Sequence, residues 1–296
     1  MKNSLLLFIT ASIWGVAFVA QSVGTNYAGP FTFNAVRFFL GGTVLLPFLM
    51  WRSAGKYKEE TKEEKKARHR VTLLGGVCCG VALSSASLLQ QMGIQRTTVA
   101  KAGFITALYI IIVPILGLLF RKKVRKLIWV SVAVAVVGMY LLCIKESFTV
   151  SAGDLLVFLC AIVFSVHILV IDHFSPKADG VALSCIQFYT SSILCAVGTF
   201  LLETPSFAAL CSGWMPILYA GVMSCGVAYT LQIIGQKGMD PTVASLILSL
   251  ESVISLIAGW VLLGQALSPR EIGGCILVFA AIIMAQLPDK KENKIL

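Results

Sequence analysis

One acid stands inside an apolar run near the C-terminal end, GMDPTVASLILSLESVISLIAGWVLLGQALSPREIGGCILVFAAIIMAQ, which covers 238–286. Asp240 and Pro241 read as an N-cap and a first helical residue, because proline's missing N–H costs nothing there. The run 242–263 is then long enough, at ~1.5 Å per residue, to cross a hydrocarbon layer of roughly 30 Å. Glu251 falls near its middle. A charge at that depth costs on the order of 2.5–3.5 kcal/mol on insertion scales, so an acid kept there points to function. Burial disfavours the charged form of a carboxyl. Glu251 could therefore gain and lose a proton as a cavity faces each side, or pair with a cationic group of a solute. The plainer reading is a carboxyl that only holds a helix bundle together.

Other side chains join it. Arg37 lies about six residues into a second apolar run that opens at Phe31. It either snorkels to outer headgroups or sets a fixed positive charge on the wall of a water-filled cavity, where its planar fork would suit a carboxylate. His167 is either a packed histidine or a proton relay. Trp14, in Ile13-Trp14-Gly15, sits too deep for an interfacial belt, which leaves packing or ligand contact. Gln90 and Gln91 carry amides that need partners in a dry setting. Tyr109 precedes Pro114, which deprives the Ile110 carbonyl of its helical donor and can bend or break the helix to line a cavity. Tyr229 and Gln232 lie in a stretch loosened by Gly221, Gly226, Gly235 and Gly238. The expected site is thus Glu251, Arg37, His167, Trp14, Gln90, Tyr109, Tyr229 and Gln232. No metal-ligand spacing and no cofactor fingerprint is present, so no cofactor is expected. H-E-x-x-H, G-x-S-x-G and paired intramembrane aspartates are all missing, which argues against an intramembrane enzyme.

The elements that must position these groups follow from composition. Hydrophobic residues make up 57% of the 296 and charged residues 13%, with mean hydropathy +0.87. A soluble domain of this length carries about twice that charge. The formal charge of +10 sits in short connectors between apolar runs and suggests membrane topology over nucleic-acid binding. The nine cysteines lie mostly inside apolar runs without C-x-x-C spacing, so neither disulfides nor metal ligands are expected. Ten spans are predicted, near 4–24, 31–51, 71–92, 98–120, 124–144, 154–172, 182–201, 214–234, 242–263 and 269–287. The first lacks a convincing cleavage site and is expected to remain as a helix. With both termini inside the cell, 19 of the 24 Lys and Arg fall in cytoplasmic segments, which fixes the expected orientation.

Short patterns also recur. Leu5-Leu6-Leu7-Phe8 parallels Leu155-Leu156-Val157-Phe158, and Val36-Arg37-Phe38-Phe39 parallels Ile186-Gln187-Phe188-Tyr189. Cys79-Gly80-Val81-Ala82 parallels Cys225-Gly226-Val227-Ala228, and Thr98-Val99-Ala100 parallels Thr242-Val243-Ala244. The chain reads as two repeats, 1–145 and 146–296. An odd number of spans in each makes the second enter the membrane upside down relative to the first.

In this order and spacing, Ile13-Trp14-Gly15, Val36-Arg37-Phe38, and Leu250-Glu251 followed by the run from Ala258 to Gly264 resemble the EamA-type family of the drug/metabolite transporter superfamily. The resemblance covers essentially the whole chain. Two departures stand out: Ser252 where relatives often carry Pro, and Gln265 where they often carry an acid. It implies an all-α integral membrane protein of ten helices in two inverted five-helix repeats, N-in and C-in, in the cell membrane. The implied activity is secondary transport of small metabolites such as amino acids, outward or by exchange, with protons as a candidate coupling ion. Helices 1–4 and 6–9 would surround a midplane cavity, braced by helices 5 and 10. A lipid-handling, structural or sensor protein on the same fold is the alternative, and it would turn Arg37 and Glu251 toward lipid.

Overall fold

The computed structural model describes residues 2–56, 61–119, 124–143, 151–263 and 268–287. Lys145, Gly264, Gln265 and the basic residues at 121–123 and from 290 onward lie outside the described residues. Every regular element among the described residues is helical. Eight stretches are long and apolar enough to cross a membrane: Lys2–Gly24, Pro30–Trp51, Lys62–Ile94, Lys101–Leu119, Ala152–Phe174, Gly180–Leu202, Trp214–Gln236 and Pro241–Leu262. Two further apolar helices, Lys126–Leu141 and Ile272–Ala285, are shorter. Polarity is distributed inside out. Phe200, Phe207, Leu119 and Trp51 are exposed, whereas Arg37, His167, Gln187 and Glu251 are buried. That arrangement suits a multi-pass protein with lipid, not water, around it.

In chain order, α1 (Lys2–Gly24) and α2 (Pro30–Lys56) precede α3 (Lys62–Ile94). The last begins nine residues earlier than its apolar run predicts. Thr61 accepts from the Glu64 N–H, while the Glu64 carboxylate accepts from the Thr61 N–H. This capping box starts the helix inside the charged connector. The fourth span is broken into α4 (Val99–Ala107) and α5 (Tyr109–Leu119). Its interruption falls at Leu108, a turn and a half before Pro114. Both the Ile111 and Ile112 N–H groups crowd onto the Leu108 carbonyl. After α6 (Lys126–Cys143) come α7 (Ala152–Phe174), opened by a Ser151–Asp154 capping box, and α8 (Gly180–Leu202).

The span Trp214–Gln236 is not one α-helix. Short α9 (Phe207–Ser212) and α10 (Trp214–Leu218) lead into a π-helical stretch, Tyr219–Tyr229, which continues as α11 (Thr230–Gln236). The span Pro241–Leu262, read as unbroken in the sequence, divides into α12 (Pro241–Leu248) and α13 (Leu250–Leu263) around Ser249. Asp240 caps it as expected, accepting from Thr242 N–H at 2.8 Å. A serine ladder causes the break where no proline stands. The hydroxyls of Ser245, Ser249, Ser252 and Ser255 each donate to the carbonyl three residues back, at 2.7–2.8 Å. The Ser249 carbonyl takes both the N–H and the hydroxyl of Ser252, which tightens the turn and interrupts the ladder. The chain closes with α14 (Pro269–Gln286).

Packing is reciprocal between the two parts of the chain. α2 lies against α8, and α6 lies against α14. α3 packs on α7 and α8, while the π-helical span packs on α1 and α2. Residues at parallel positions meet face to face. Phe38 stacks on Phe188 with ring centroids 6.3 Å apart, and Phe39 meets Tyr189 edge-on at 6.2 Å. Small residues make these approaches possible. A Cβ on Gly76 would lie 2.6 Å from Ile186 Cβ, and one on Gly80 would lie 2.6 Å from Thr190 Cβ. α6 and α14 pack chiefly on each other, beside the remaining helices.

Candidate functional site

A narrow cavity runs between the two parts of the chain. Its volume is about 30 Å³. All eight residues singled out from the sequence line it: Trp14, Arg37, Gln90, Tyr109, His167, Tyr229, Gln232 and Glu251. Eight different elements deliver them. Thr106 and Tyr109 flank the break at Leu108, and Leu248 and Glu251 flank the break at Ser249, so both interrupted helices open their backbone at the cavity wall.

Glu251 is 3% exposed. Its Oε1 accepts a 2.9 Å hydrogen bond from the Tyr109 hydroxyl. α1 can come close here because Gly15 has no side chain. A Cβ on it would stand 2.5 Å from Ile254 Cβ and 2.9 Å from the Glu251 carbonyl. Glycine in Ile13-Trp14-Gly15 is thus explained by the helix that carries the acid.

Arg37 is 1% exposed, which places it on the cavity and not among headgroups. Its Nε donates to Asn34 Oδ1 at 2.9 Å, one helical turn away. Asn34 is itself oriented by donating to the carbonyls of Pro30 (2.8 Å) and Ser87 (3.4 Å). The guanidinium carbon sits 4.9 Å from the Phe38 ring centroid and 5.7 Å from that of Phe33, so the aromatic groups contribute a cation–π attraction. Nη2 has no hydrogen-bond partner among the described residues. Among the described residues, neither Arg37 nor Glu251 enters an ion pair.

Aromatic rings form one wall. Trp14 and Tyr229 lie 4.5 Å apart, and His167 meets Tyr229 edge-on at 6.1 Å. Trp14 Nε1 donates to the Ser224 carbonyl at 3.3 Å, and Thr10 Oγ1 donates to that of Ala228 at 3.2 Å. Side chains of α1 thus bond carbonyls within the π-helical stretch. His167 Nε2 lies 3.2 Å from Gln187 Oε1, and its Nδ1 is buried without a partner among the described residues. Gln90 donates to Thr106 Oγ1, and Gln91 to the Gln21 carbonyl. Gln21 Oε1 and Gln232 Oε1 are likewise buried without a hydrogen-bond partner among the described residues.

Some lining residues were not anticipated. Phe18, Thr106, Phe164, Ile168, Ser224 and Leu248 also face the cavity. Thr106 lies one turn before Tyr109, and Asn34 one turn before Arg37, so spacing could have found both. Ser224 bonds Trp14 through its backbone, exposed by the π register, and no side-chain pattern announces that.

Comparison with known proteins agrees with this architecture. The sequence profile of the EamA-like transporter family matches residues 1–144 and 151–286. An uncharacterized transporter of Archaeoglobus fulgidus is 30% identical over 95% of this chain and 84% of its own length. Uncharacterized transporter YwfM of Bacillus subtilis is 25% identical over 98% and 96%. The uncharacterized inner membrane transporter YedA of Escherichia coli is 22% identical over 94% and 89%. A protein of known crystal structure superposes with a TM-score of 0.77, covering 96% of both chains at 19% identity, a likeness of fold.

Proposed function

Because the chain belongs to the EamA-like transporter family, and is therefore a membrane transporter, we propose that it is a secondary carrier of small zwitterionic metabolites such as amino acids. It would work by alternating access, as an exporter or exchanger in the cell membrane. One observation carries the reading. A guanidinium from the first part of the chain and a carboxyl from the second line the same cavity without pairing with each other. Arg37 would take the solute's carboxylate through Nη2, which has no partner among the described residues. Glu251 would take the ammonium, or carry a proton between the two sides when the solute is absent. Trp14 and Tyr229 would pack against the solute's apolar part.

The larger arrangement is proposed with it. Ten helices, α4/α5, α10 to α11 and α12/α13 counting once each and α9 as a surface segment, would form two inverted five-helix repeats at 1–145 and 146–296. Both termini would lie in the cytoplasm. The reciprocal contacts of Phe38 with Phe188 and Phe39 with Tyr189 support the repeat, since parallel positions meet only across a two-fold-like axis. The skew of 19 of 24 basic residues supports the orientation. A lipid-handling protein on this fold would turn its charges outward; the burial of Arg37 and Glu251 favours the carrier.

The test is accumulation of a labelled panel of amino acids in proteoliposomes, with and without an imposed pH gradient. Saturable uptake of at least one zwitterion is expected. Uptake of none, against a parallel panel of anions, cations and neutral solutes, would overturn the substrate class.

A further inference from the structure

Arg37 brings into the protein a charge that its described neighbours do not neutralise. One hydrogen bond from Nε to Asn34 holds it, Phe33 and Phe38 lie against it, and Nη2 is buried without a partner among the described residues. Glu251 is the one acid among the cavity's lining residues. Its described hydrogen bond comes from Tyr109 instead. An ionised group withdrawn from water costs several kcal/mol even after relaxation, far more than one neutral hydrogen bond returns. A lysine or histidine could shed its proton to escape this cost, whereas an arginine stays charged. When a solute carboxylate is bound, the problem is solved. A carrier must also pass through solute-free states, and there the same guanidinium needs another counter-charge.

We propose that the Arg37 niche of the solute-free protein binds a small monovalent inorganic anion of the chloride class, which the solute's carboxylate displaces. The binding step itself needs only the buried fork. Displacement rests on the carrier reading above. Ion and solute carboxylate would compete because both would need the one guanidinium nitrogen that is buried without a partner among the described residues, Arg37 Nη2. Asn34 is the positioning residue of this niche. By fixing Nε, it leaves Nη2 for the anion. Neutral donors could add to the cradle, but the single formal charge selects a monovalent ion.

The experiment uses the purified full chain in detergent, titrated with chloride against gluconate at constant ionic strength. Thermal unfolding and the emission of the tryptophans, Trp14 among them, are followed. Wild type should show a saturable rise of a few degrees in unfolding midpoint. Glu251→Gln should keep the response, Arg37→Gln should lose it, and Arg37→Lys should retain it in weakened form. In proteoliposomes, chloride should raise the KM of a transported carboxylate solute without lowering its maximal rate. A wild-type response without saturation would overturn the inference, as would an undiminished response in Arg37→Gln. A response seen only in Glu251→Gln would identify Glu251 as the counter-charge and overturn it equally. Saturable chloride binding lost in Arg37→Gln, with no amino acid carried, would uphold the anion site and defeat the substrate reading alone.

Discussion

α2 and α8 carry parallel sequences around Arg37 and Gln187, and they use them differently. Their aromatic neighbours meet as equals, Phe38 on Phe188 and Phe39 on Tyr189. The polar residues part company. Arg37 lines the cavity with its Nη2 unpartnered among the described residues, while Gln187 lies beside His167 and bonds its ring. Parallel glycines diverge in the same way. A Cβ on Gly80 would meet Thr190 Cβ at 2.6 Å, but one on Gly226 would find nothing nearer than 3.7 Å. Gly80 sits in unbroken α3 and Gly226 in the π-helical stretch. Shared contacts thus preserve the scaffold, while the chemistry is divided, with a fixed cation on one side and an ionisable acid on the other.

The largest effect should come from removing the acid. Glu251→Gln keeps the shape and leaves Tyr109 a carbonyl to donate to, yet ends titration. Transport should fall by roughly 100-fold, on the scale of losing a charge-assisted contact of about 1.5–3 kcal/mol, and the remainder should ignore a pH gradient. Wild-type rates and pH dependence in this variant would leave Glu251 a packing residue. Next in size is a paired test of the glycines. Gly80→Ala should destabilise the protein by about 1–3 kcal/mol through overpacking, while Gly226→Ala should be nearly neutral. Equal losses in detergent unfolding would show that the π register gives no extra room.

A smaller effect concerns the end where α8 meets α2. Glu203 accepts from the N–H groups of Phe31 (2.9 Å) and Thr32 (2.8 Å) and from the Thr32 hydroxyl (2.6 Å). It caps a helix of the other part of the chain. At the parallel start of α8, Asp179 caps its own helix through Val181 and Ala182. Glu203→Ala should cost about 0.5–2 kcal/mol, as lost caps do, and should raise labelling of a cysteine placed at Gln21. Unchanged labelling would make the cap purely structural. The smallest change is Trp14→Phe, which copies Phe164 at the parallel position. It gives up the bond to the Ser224 carbonyl, worth about 1 kcal/mol, and should raise KM modestly at constant maximal rate.

Sequence made some of this plain and hid the rest for physical reasons. A buried charge in an apolar run has few places to go, so Glu251 was legible as an interior acid, whereas Arg37 stayed open between headgroups and cavity until its burial placed it inside. The amide pair Gln90–Gln91 and the Asp240 cap followed from similar constraints. The break at Ser249 did not, because serines end a helix only when their hydroxyls turn onto its own carbonyls. Nor did the π-helical stretch, whose freed carbonyls are answered by side chains more than 200 residues away. The early start of α3 was written in Thr61 and Glu64 but masked by the surrounding charge.

The most direct measurement concerns Arg37 and the carboxylate. Uptake of a transported amino acid and competition by its amide should be compared in wild type and in Arg37→Gln, which copies Gln187. Wild type should prefer the carboxylate by roughly ten- to hundredfold, the range of one charge-assisted contact. The variant should insert normally and lose that preference. A preference unchanged in Arg37→Gln would contradict the account, since the cation lining the cavity would then play no part in choosing the solute.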